Sequence, residues 1–426
     1  MNFTKQTYLT AFALFSMFFG AGNLILPPFL GYNAGEDWLW VFLGFAISAV
    51  FIPILALYGY ARLQGTMLDF AKKISPPIAL IYCLIVYAIA IALPAPRTAS
   101  VTYEMAIQPY FEMSSLVMSA IYFALVLVFV LNRNRIISLL GKFLTPLILI
   151  LLAYIIFVGL FSTTETISSS IFDNGISAGI LEGYQTFDAI GGVVVGGVVV
   201  ISLALQGTYN YGEKRKMIAK AGLLAGIGLC LIYGGLIALG AFFSGTISAE
   251  NRTELLLALS TNTLGNIGTT FLAVLVSLAC FTTAVGIVTG ASDFVKGLCK
   301  NSKTAYVTTA IVCCVLGVAV GQFDVQYIIN IALPALMFIY PITIVLIILN
   351  ALPEHLSTTF VFRAVALTTF IFSIPDFLSF FLAEGSLDGV AQYIPFSQYS
   401  LGWILPAAVV FIVSNLFQRT NLKKLT

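Results

Sequence analysis

Phe18-Phe19-Gly20-Ala21-Gly22-Asn23-Leu24-Ile25-Leu26-Pro27-Pro28 interrupts the first long apolar run of the chain, at the depth where that run crosses mid-bilayer. Two glycines, an asparagine and a proline pair do not suit a continuous helix in lipid. Glycine favours irregular backbone, and proline removes a donor and restricts the residue before it. An unsatisfied backbone group in hydrocarbon costs several kcal/mol, so a break survives only where protein buries it or a wet cavity receives it. N–H groups freed at the start of the second half-helix favour a negative charge, and carbonyls freed at the end of the first favour a cation. The stretch therefore reads as a midplane site for an anionic group and a small cation. The plainer alternative is a glycine-packed, proline-kinked helix with no ligand.

The rest of the chain is membrane-like. Of 426 residues, 60% are hydrophobic and 9% charged, with mean hydropathy +1.02. Soluble domains carry about 25% charged residues. The length accommodates about twelve spans of ~20 residues joined by short loops. Apolar runs place them near 8–32, 38–60, 76–108, 114–131, 138–162, 178–208, 217–244, 268–294, 304–321, 326–350, 360–382 and 400–418. An even number puts both termini on one side. With the N-terminus inside, all but Arg97 and Arg252 of the 20 basic residues fall at the inner face, as the positive-inside rule requires. The outer loops carry Glu36, Asp37, Glu165, Asp173, Glu182, Glu250, Glu254, Asp324, Glu384 and Asp388. The net charge of +2 is dispersed among short loops and indicates no nucleic-acid partner. No loop cysteine pattern suggests a disulfide or a metal. The N-terminus leads straight into a span with no small-residue cleavage site, which speaks against a removable leader.

A second interruption lies five spans later, at Tyr184-Gln185-Thr186-Phe187-Asp188-Ala189-Ile190-Gly191-Gly192. Span 1 runs inward to outward and span 6 the reverse. Two interrupted spans at corresponding positions of opposed halves point to an inverted-repeat transporter with its site between them. The expected fold is an all-α integral membrane protein of about twelve transmembrane helices, a five-plus-five inverted repeat with broken spans 1 and 6. It would form one transport domain over 1–426, with repeats at 8–162 and 178–350 and peripheral spans at 360–418. The Ser/Thr-rich loop 163–177 is long enough to be structured. In loop 246–267, Leu255-Leu256-Leu257-Ala258-Leu259 reads either as a lid across the outer mouth or as a surface helix packed on the bundle.

Several residues suit ion and zwitterion chemistry. In span 8, Ala279-Cys280-Phe281-Thr282-Thr283 lets one helical face gather the Ala279 carbonyl and the Thr282 and Thr283 hydroxyls. Such hard, neutral oxygens suit a small monovalent cation. Carbonyls of Ser16 and Phe19 at the first break would complete the set. The alternative is threonines bonded back to their own helix. Asp188 is an ionisable group within a span, and such groups are functional by default. It would hold an ammonium, join a cation site or titrate. Arg97 in span 3 would pair with an acid such as Asp188, or touch substrate or a gate. It stands seven residues from Glu104, too far for a close helical pair. Asp293 and Asp376 sit near span ends, where wet positions explain them, and His355 lies in an inner loop. No nucleophile–base pair, metal cluster or phosphate-cradling loop stands out. The chain thus reads as neither an enzyme nor an ATP-driven pump, and an ion gradient would supply the energy. A channel would want a continuous polar pore, and a membrane sensor a sizeable signalling domain.

FFGAGNLILPP at 18–28, PRTASVTYE at 96–104 and GYQTFDA at 183–189 together resemble the bacterial branched-chain amino acid:cation symporters, the branched-chain amino acid transport system II carrier proteins. The resemblance runs over the whole chain. It implies uptake of leucine, isoleucine and valine coupled to sodium across the bacterial inner membrane, on the leucine-transporter-type fold of the amino acid–polyamine–organocation superfamily. It implies that the break at Gly20, Ala21 and Gly22 holds the substrate carboxylate through the N–H groups of Ala21 and Gly22. It likewise implies a sodium site at Ala279, Thr282 and Thr283 between spans 1 and 8, with Asn23 matching the ligand of a second sodium in some relatives. The substrate side chain would enter a pocket with Phe15, Phe18 and Phe187. A proton-coupled or broader neutral amino acid carrier, with Asp188 titrating, is the nearest alternative.

Overall fold

A computed structural model describes residues 3–132, 136–162, 167–205, 210–383 and 386–423. Arg133, Arg135 and Lys424 of the charge pattern, with Glu165 and Glu384, lie outside the described residues.

The first span is two helices, α1 (Phe3–Phe18) and α2 (Ala21–Ala34). Span 2 runs through α3 (Trp38–Ala46), a π-helical turn at Ile47–Phe51 and α4 (Ile52–Leu63). A short helix, α5 (Met67–Ala71), precedes span 3. That span is α6 (Pro76–Ala92), α7 (Pro94–Thr102) and a π-helical turn at Tyr103–Ile107. Its mid-span kink falls at Leu93, because Pro94 has no N–H to continue the ladder. Spans 4 and 5 are α8 (Ser115–Asn132) and α9 (Ile136–Ser162). Span 6 is again two helices, α10 (Gly175–Tyr184) and α11 (Asp188–Leu205). Span 7 is α12 (Tyr211–Phe242).

The lid segment and span 8 form α13 (Arg252–Leu298), bent at Gly265, whose φ of 69° is left-handed. Spans 9 to 11 are α14 (Lys303–Gly321), α15 (Val325–Ala351) and α16 (Thr359–Leu378). The tail adds α17 (Asp388–Ala391) and α18 (Ile404–Lys423), the latter being span 12.

Eight described stretches are long and apolar enough to cross a membrane, and Pro146–Phe161 and Ile404–Gln418 are shorter apolar helices. The two interrupted spans complete the set of twelve, and the chain is a multi-pass membrane protein. Asn174, Asn210, Asn251, Ser302, Asp324 and Thr358 cap helix starts, each accepting a backbone N–H from its own first turn. These polar caps satisfy donors that lipid cannot.

The core is built on the interrupted spans. α2 packs along α12, α1 on α12, α10 on α3 and α13 on α7 and α2. A methyl on Gly31 would strike the Ile237 carbonyl, and one on Gly240 the Pro28 carbonyl, so α2 and α12 meet backbone to backbone. This close approach through small residues is the usual device where the hydrophobic effect cannot drive helix association. At the end of the bundle where α2 terminates, the described part of loop 163–177 is stitched down. Ile171 N–H donates to the Asn33 carbonyl at 3.1 Å, and Glu36 N–H to the Ser168 carbonyl at 3.1 Å. In the lid segment Leu255, Leu256 and Leu259 are fully buried, so it packs on the bundle. All six cysteines are free thiols.

Candidate functional site

The two interruptions face one another at the centre of the bundle. α1 ends with Phe19 N–H donating to the Phe15 carbonyl at 2.8 Å. Gly20 is extended (φ −119°, ψ −168°), and its N–H donates to Asn23 Oδ1 at 3.2 Å. The N–H groups of Ala21, Gly22 and Asn23 form the first turn of α2, its positive end. The expectation that the proline pair helps break span 1 is corrected here. Pro27 and Pro28 lie inside α2, and the interruption falls at 19–20.

In span 6 the interruption covers 185–187, with Phe187 held at φ 63°. A left-handed non-glycine residue costs about 1–2 kcal/mol. Phe187 is retained by its N–H to the Tyr184 carbonyl (3.1 Å), and its own carbonyl accepts Gly191 N–H (2.7 Å). The glycine pair at 191–192 lies within α11 and does not break it.

Asp188 opens α11 and is 3% exposed. Its Oδ2 accepts Asn23 Nδ2 at 2.7 Å and the Tyr233 hydroxyl at 3.1 Å. Tyr233 and Asn23 are also in direct hydrogen-bond contact. One side chain from each broken span thus meets a third from α12. Asn23 is committed on both ends of its amide, to Gly20 and to Asp188, and serves here as the link between the interruptions.

Arg97, in the first turn of α7, is 3% exposed and sits on the other side of this centre. Its Nη1 donates to the Gln185 carbonyl at 2.8 Å, and its guanidinium lies 5.3 Å from the Phe187 ring centroid. A methyl on Gly22 would strike the guanidinium. The expected pairing with an acid is corrected: among the described residues Arg97 forms no ion pair, and Asp188 is taken up by Asn23 and Tyr233.

Thr283 lies beside the first break, since a methyl on Gly20 would meet its side chain at 3.5 Å. The Thr282 and Thr283 hydroxyls both donate to the Ala279 carbonyl, at 2.9 and 3.0 Å. Both hydroxyls are thus bonded back to their own helix, and Thr283 is the one seated beside Gly20 at the end of α1. Of the expected aromatic pocket, Phe18 faces Gly191 of α11, while Phe187 lies under Arg97. Phe15 turns elsewhere: it stacks on Phe19 at 5.2 Å and packs against Gly228 of α12. A ring on the α12 side of α1 packs that interface.

Beyond the breaks, at the end of the bundle where α2 terminates, lies a second polar cluster. Arg252 Nη2 and Nε both reach Glu182 Oε1, at 2.8 and 3.2 Å, and Nη1 bonds Gln326. The guanidinium lies 4.9 Å from the Phe29 ring centroid. Thr253 bonds Glu104, whose other oxygen accepts Val325 N–H at 2.8 Å. The lid segment is thereby tied to α10, α15, α2 and the end of span 3. Beside it a cavity of about 930 Å³ is lined by Glu104, Leu257, Thr261 and Asp324 among others. Asp376, expected at a wet span end, is instead buried, with Oδ2 lacking a partner.

Residues 3–421 match the branched-chain amino acid transport protein family. The branched-chain amino acid transport system 2 carrier protein of Pseudomonas aeruginosa is 32% identical over 412 residues, covering 95% of this chain and 94% of that one. Among solved structures, the inward-facing conformation of Mhp1 superposes with a TM-score of 0.59 at 13% identity, over 97% of this chain and 91% of that one. MhsT in complex with L-phenylalanine gives 0.54 at 16% identity, over 96% and 97%. These likenesses establish the leucine-transporter-type fold.

Proposed function

The chain belongs to the branched-chain amino acid transport protein family, and from that premise we propose that it is a sodium-coupled symporter importing leucine, isoleucine and valine by alternating access. The observation that carries the mechanism is the pair of facing interruptions, whose helix termini present N–H groups and carbonyls to one buried centre. The substrate carboxylate meets the N–H groups of Ala21 and Gly22. Its ammonium meets carbonyls of the breaks beside Asp188, and its side chain lies against Phe18 and Phe187. Such an apolar pocket separates one methylene from another by only about 1–3 kcal/mol, so the three substrates compete.

Sodium, the co-substrate, takes oxygens of Ala279, Thr282 and Thr283 with carbonyls at the end of α1. Support for this is the seating of Thr283 against Gly20. Sodium bound there favours the outward-open arrangement. The interrupted spans then rock against spans 3, 4, 8 and 9, and the site opens inward. One sodium moving with a neutral zwitterion gains about 2.3 kcal/mol per 100 mV of membrane potential. The proposed setting is a bacterial inner membrane with both termini cytoplasmic, following the loop-charge bias. The transport unit is the single domain 1–426, with repeats 8–162 and 178–350 and peripheral spans at 360–418.

The test is uptake of labelled leucine into proteoliposomes with sodium and proton gradients imposed separately. Uptake driven by inward sodium alone is expected. Uptake driven only by protons moves the coupling to a titrating group, with Asp188 first in line. No accumulation under either gradient removes the symport reading.

A further inference from the structure

Two arginines lie away from the basic face of the chain, and they are held differently. Arg252 has a carboxylate, Glu182, at 2.8 Å. Arg97 has none among the described residues, although it is only 3% exposed. Its hydrogen bond to the protein runs from Nη1 to the Gln185 carbonyl. Nε is buried without a partner, and the guanidinium lies against Gly22 in the first turn of α2. Nε and Nη2 form one edge of the planar fork and Nη1 projects from the other, so the edge not used by Gln185 carries the unpartnered Nε. An unpaired charge in a membrane interior is costly. The positive end of α2 adds to that cost, because it repels a cation. Phe187 offsets only part of it through its ring face,.

Beside a helix N-terminus, the Nε–Nη2 edge of this fork has no anion against it among the described residues, since Asp188 is held by Asn23 and Tyr233. We propose that Arg97 is the receptor for the substrate carboxylate, which takes the Nε–Nη2 edge in bidentate fashion together with the first-turn N–H groups of α2. This rests on the amino acid transport reading and deepens it by naming the side chain that selects for the carboxylate. A planar fork matches a carboxylate in a way that a point charge does not. Gly22 is required because a Cβ there would fill the space that the fork occupies. The ammonium is left to the carbonyls and Asp188, so the two ends of the zwitterion are read by different elements.

The experiment uses the full-length protein in proteoliposomes and competition against labelled leucine. The competitors are leucine, leucinol, leucinamide and 4-methylpentanoate, applied to wild type, Arg97→Gln and Arg97→Lys. In wild type, leucinol and leucinamide are expected to compete roughly a hundred-fold more weakly than leucine, the scale of one desolvated charge pair. 4-Methylpentanoate, which keeps only the carboxylate, retains measurable competition. In Arg97→Gln leucine weakens by about that factor while leucinol is unchanged, so their ratio collapses; Arg97→Lys restores part of it.

Leucinol matching leucine on wild type overturns the proposal without any variant. So does an equal loss for both ligands in Arg97→Gln, which marks a structural arginine. Loss of leucine binding when chloride is replaced by methanesulfonate also overturns it, because the missing anion is then chloride. Wild type that takes up no leucine overturns the transport reading and this proposal together, whereas uptake with indiscriminate competition overturns this proposal alone.

Discussion

Tyr233→Phe is the cleanest probe of the centre. The hydroxyl donates to Asp188 Oδ2 at 3.1 Å and touches the Asn23 amide. The ring packs edge-on to Phe45 at 5.4 Å and parallel to Phe19 at 6.4 Å, contacts that phenylalanine keeps. The substitution therefore removes hydrogen bonding and leaves packing in place. A hydrogen bond to a charged acceptor contributes about 1.5–3 kcal/mol and a neutral one about 0.5–1.5. Asp188 opens α11, and its Oδ2 accepts both the Asn23 amide and the Tyr233 hydroxyl. Tyr233→Phe should then lower stability by about 1.5–3 kcal/mol in wild type and about 0.5–1.5 in Asp188→Asn, whose acceptor is a neutral amide. The difference, of order 1 kcal/mol or slightly more, is the coupling of the pair. Reversible unfolding in mixed micelles, followed by tryptophan emission, measures all four corners of the cycle. Equal losses in both backgrounds would refute the reasoning, because the hydroxyl would then not be answering a charge on Asp188.

Other perturbations read other parts of the site. Gly22→Ala forces a methyl into the Arg97 guanidinium, whereas Gly20→Ala meets Thr283 at an ordinary 3.5 Å. The first should cut leucine uptake at least roughly ten-fold, the factor for 1.4 kcal/mol, against typical overpacking costs of 1–3 kcal/mol; the second should stay near wild type. Thr282→Ala is expected to raise the sodium concentration for half-maximal uptake more than it weakens leucine binding at saturating sodium; an unchanged sodium curve removes Thr282 from the cation site. Arg252→Ala breaks the tie from the lid segment to Glu182 and Gln326. In a cysteine-free background, Gln185→Cys beneath it should become reactive to an impermeant thiol reagent only once Arg252 is replaced. Gly240→Ala drives a methyl into the Pro28 carbonyl and should destabilise by about 1–3 kcal/mol in the same micelle assay.

The interruptions were legible because polar residues and glycines clustered inside an apolar run weaken a lipid-spanning helix unless they open it for a purpose. Their exact positions were not. Prolines 27 and 28 look like the breaking agents, yet proline at a helix interior costs about 3 kcal/mol or more without having to end the helix, and α2 runs through both. In span 6 the turn is made by Phe187, a residue type that carries no left-handed signal, while the glycines beside it are helical. Tyr233 was missed although the logic that singled out Asp188 applies to any polar group in a span; only the fold shows that its hydroxyl meets the two breaks. Asp376 reads as wet from its distance along α16. It is buried, and the Gly402 backbone N–H, near in space but distant in sequence, bonds its carboxyl. Phe15 is three residues from Phe18, one helical turn, which is near enough in sequence to suggest one pocket. The actual helix rotation sends Phe15 to Gly228 and Phe18 to Gly191.

The contrast between the two displaced arginines carries the mechanism one step further. Arg252 is neutralised by Glu182, so its site needs nothing from solution, and it can hold α13 to α10 whether or not the centre is occupied. Arg97 forms no ion pair among the described residues, and the bond that it does make, to Gln185, belongs to the span 6 interruption. The same side chain lies on Gly22 of span 1. An anion bound at that fork would therefore join span 1, span 3 and span 6 at one point, and its departure would leave like charges facing each other, the guanidinium against the positive end of α2. A carrier must move without substrate as well as with it. At this fork the loaded and empty states differ in one buried charge, so a carboxylate bound there biases the movement through what it contributes to that charge. It follows that an analogue without the carboxylate, such as leucinol, leaves the Arg97 fork unpartnered and does not favour the closed arrangement even when forced into the site at high concentration. Leucine should quench accessibility of Gln185→Cys in the Arg252→Ala background, and saturating leucinol should leave it open. Equal protection by both ligands would show that the side chain, and not the carboxylate, drives closure.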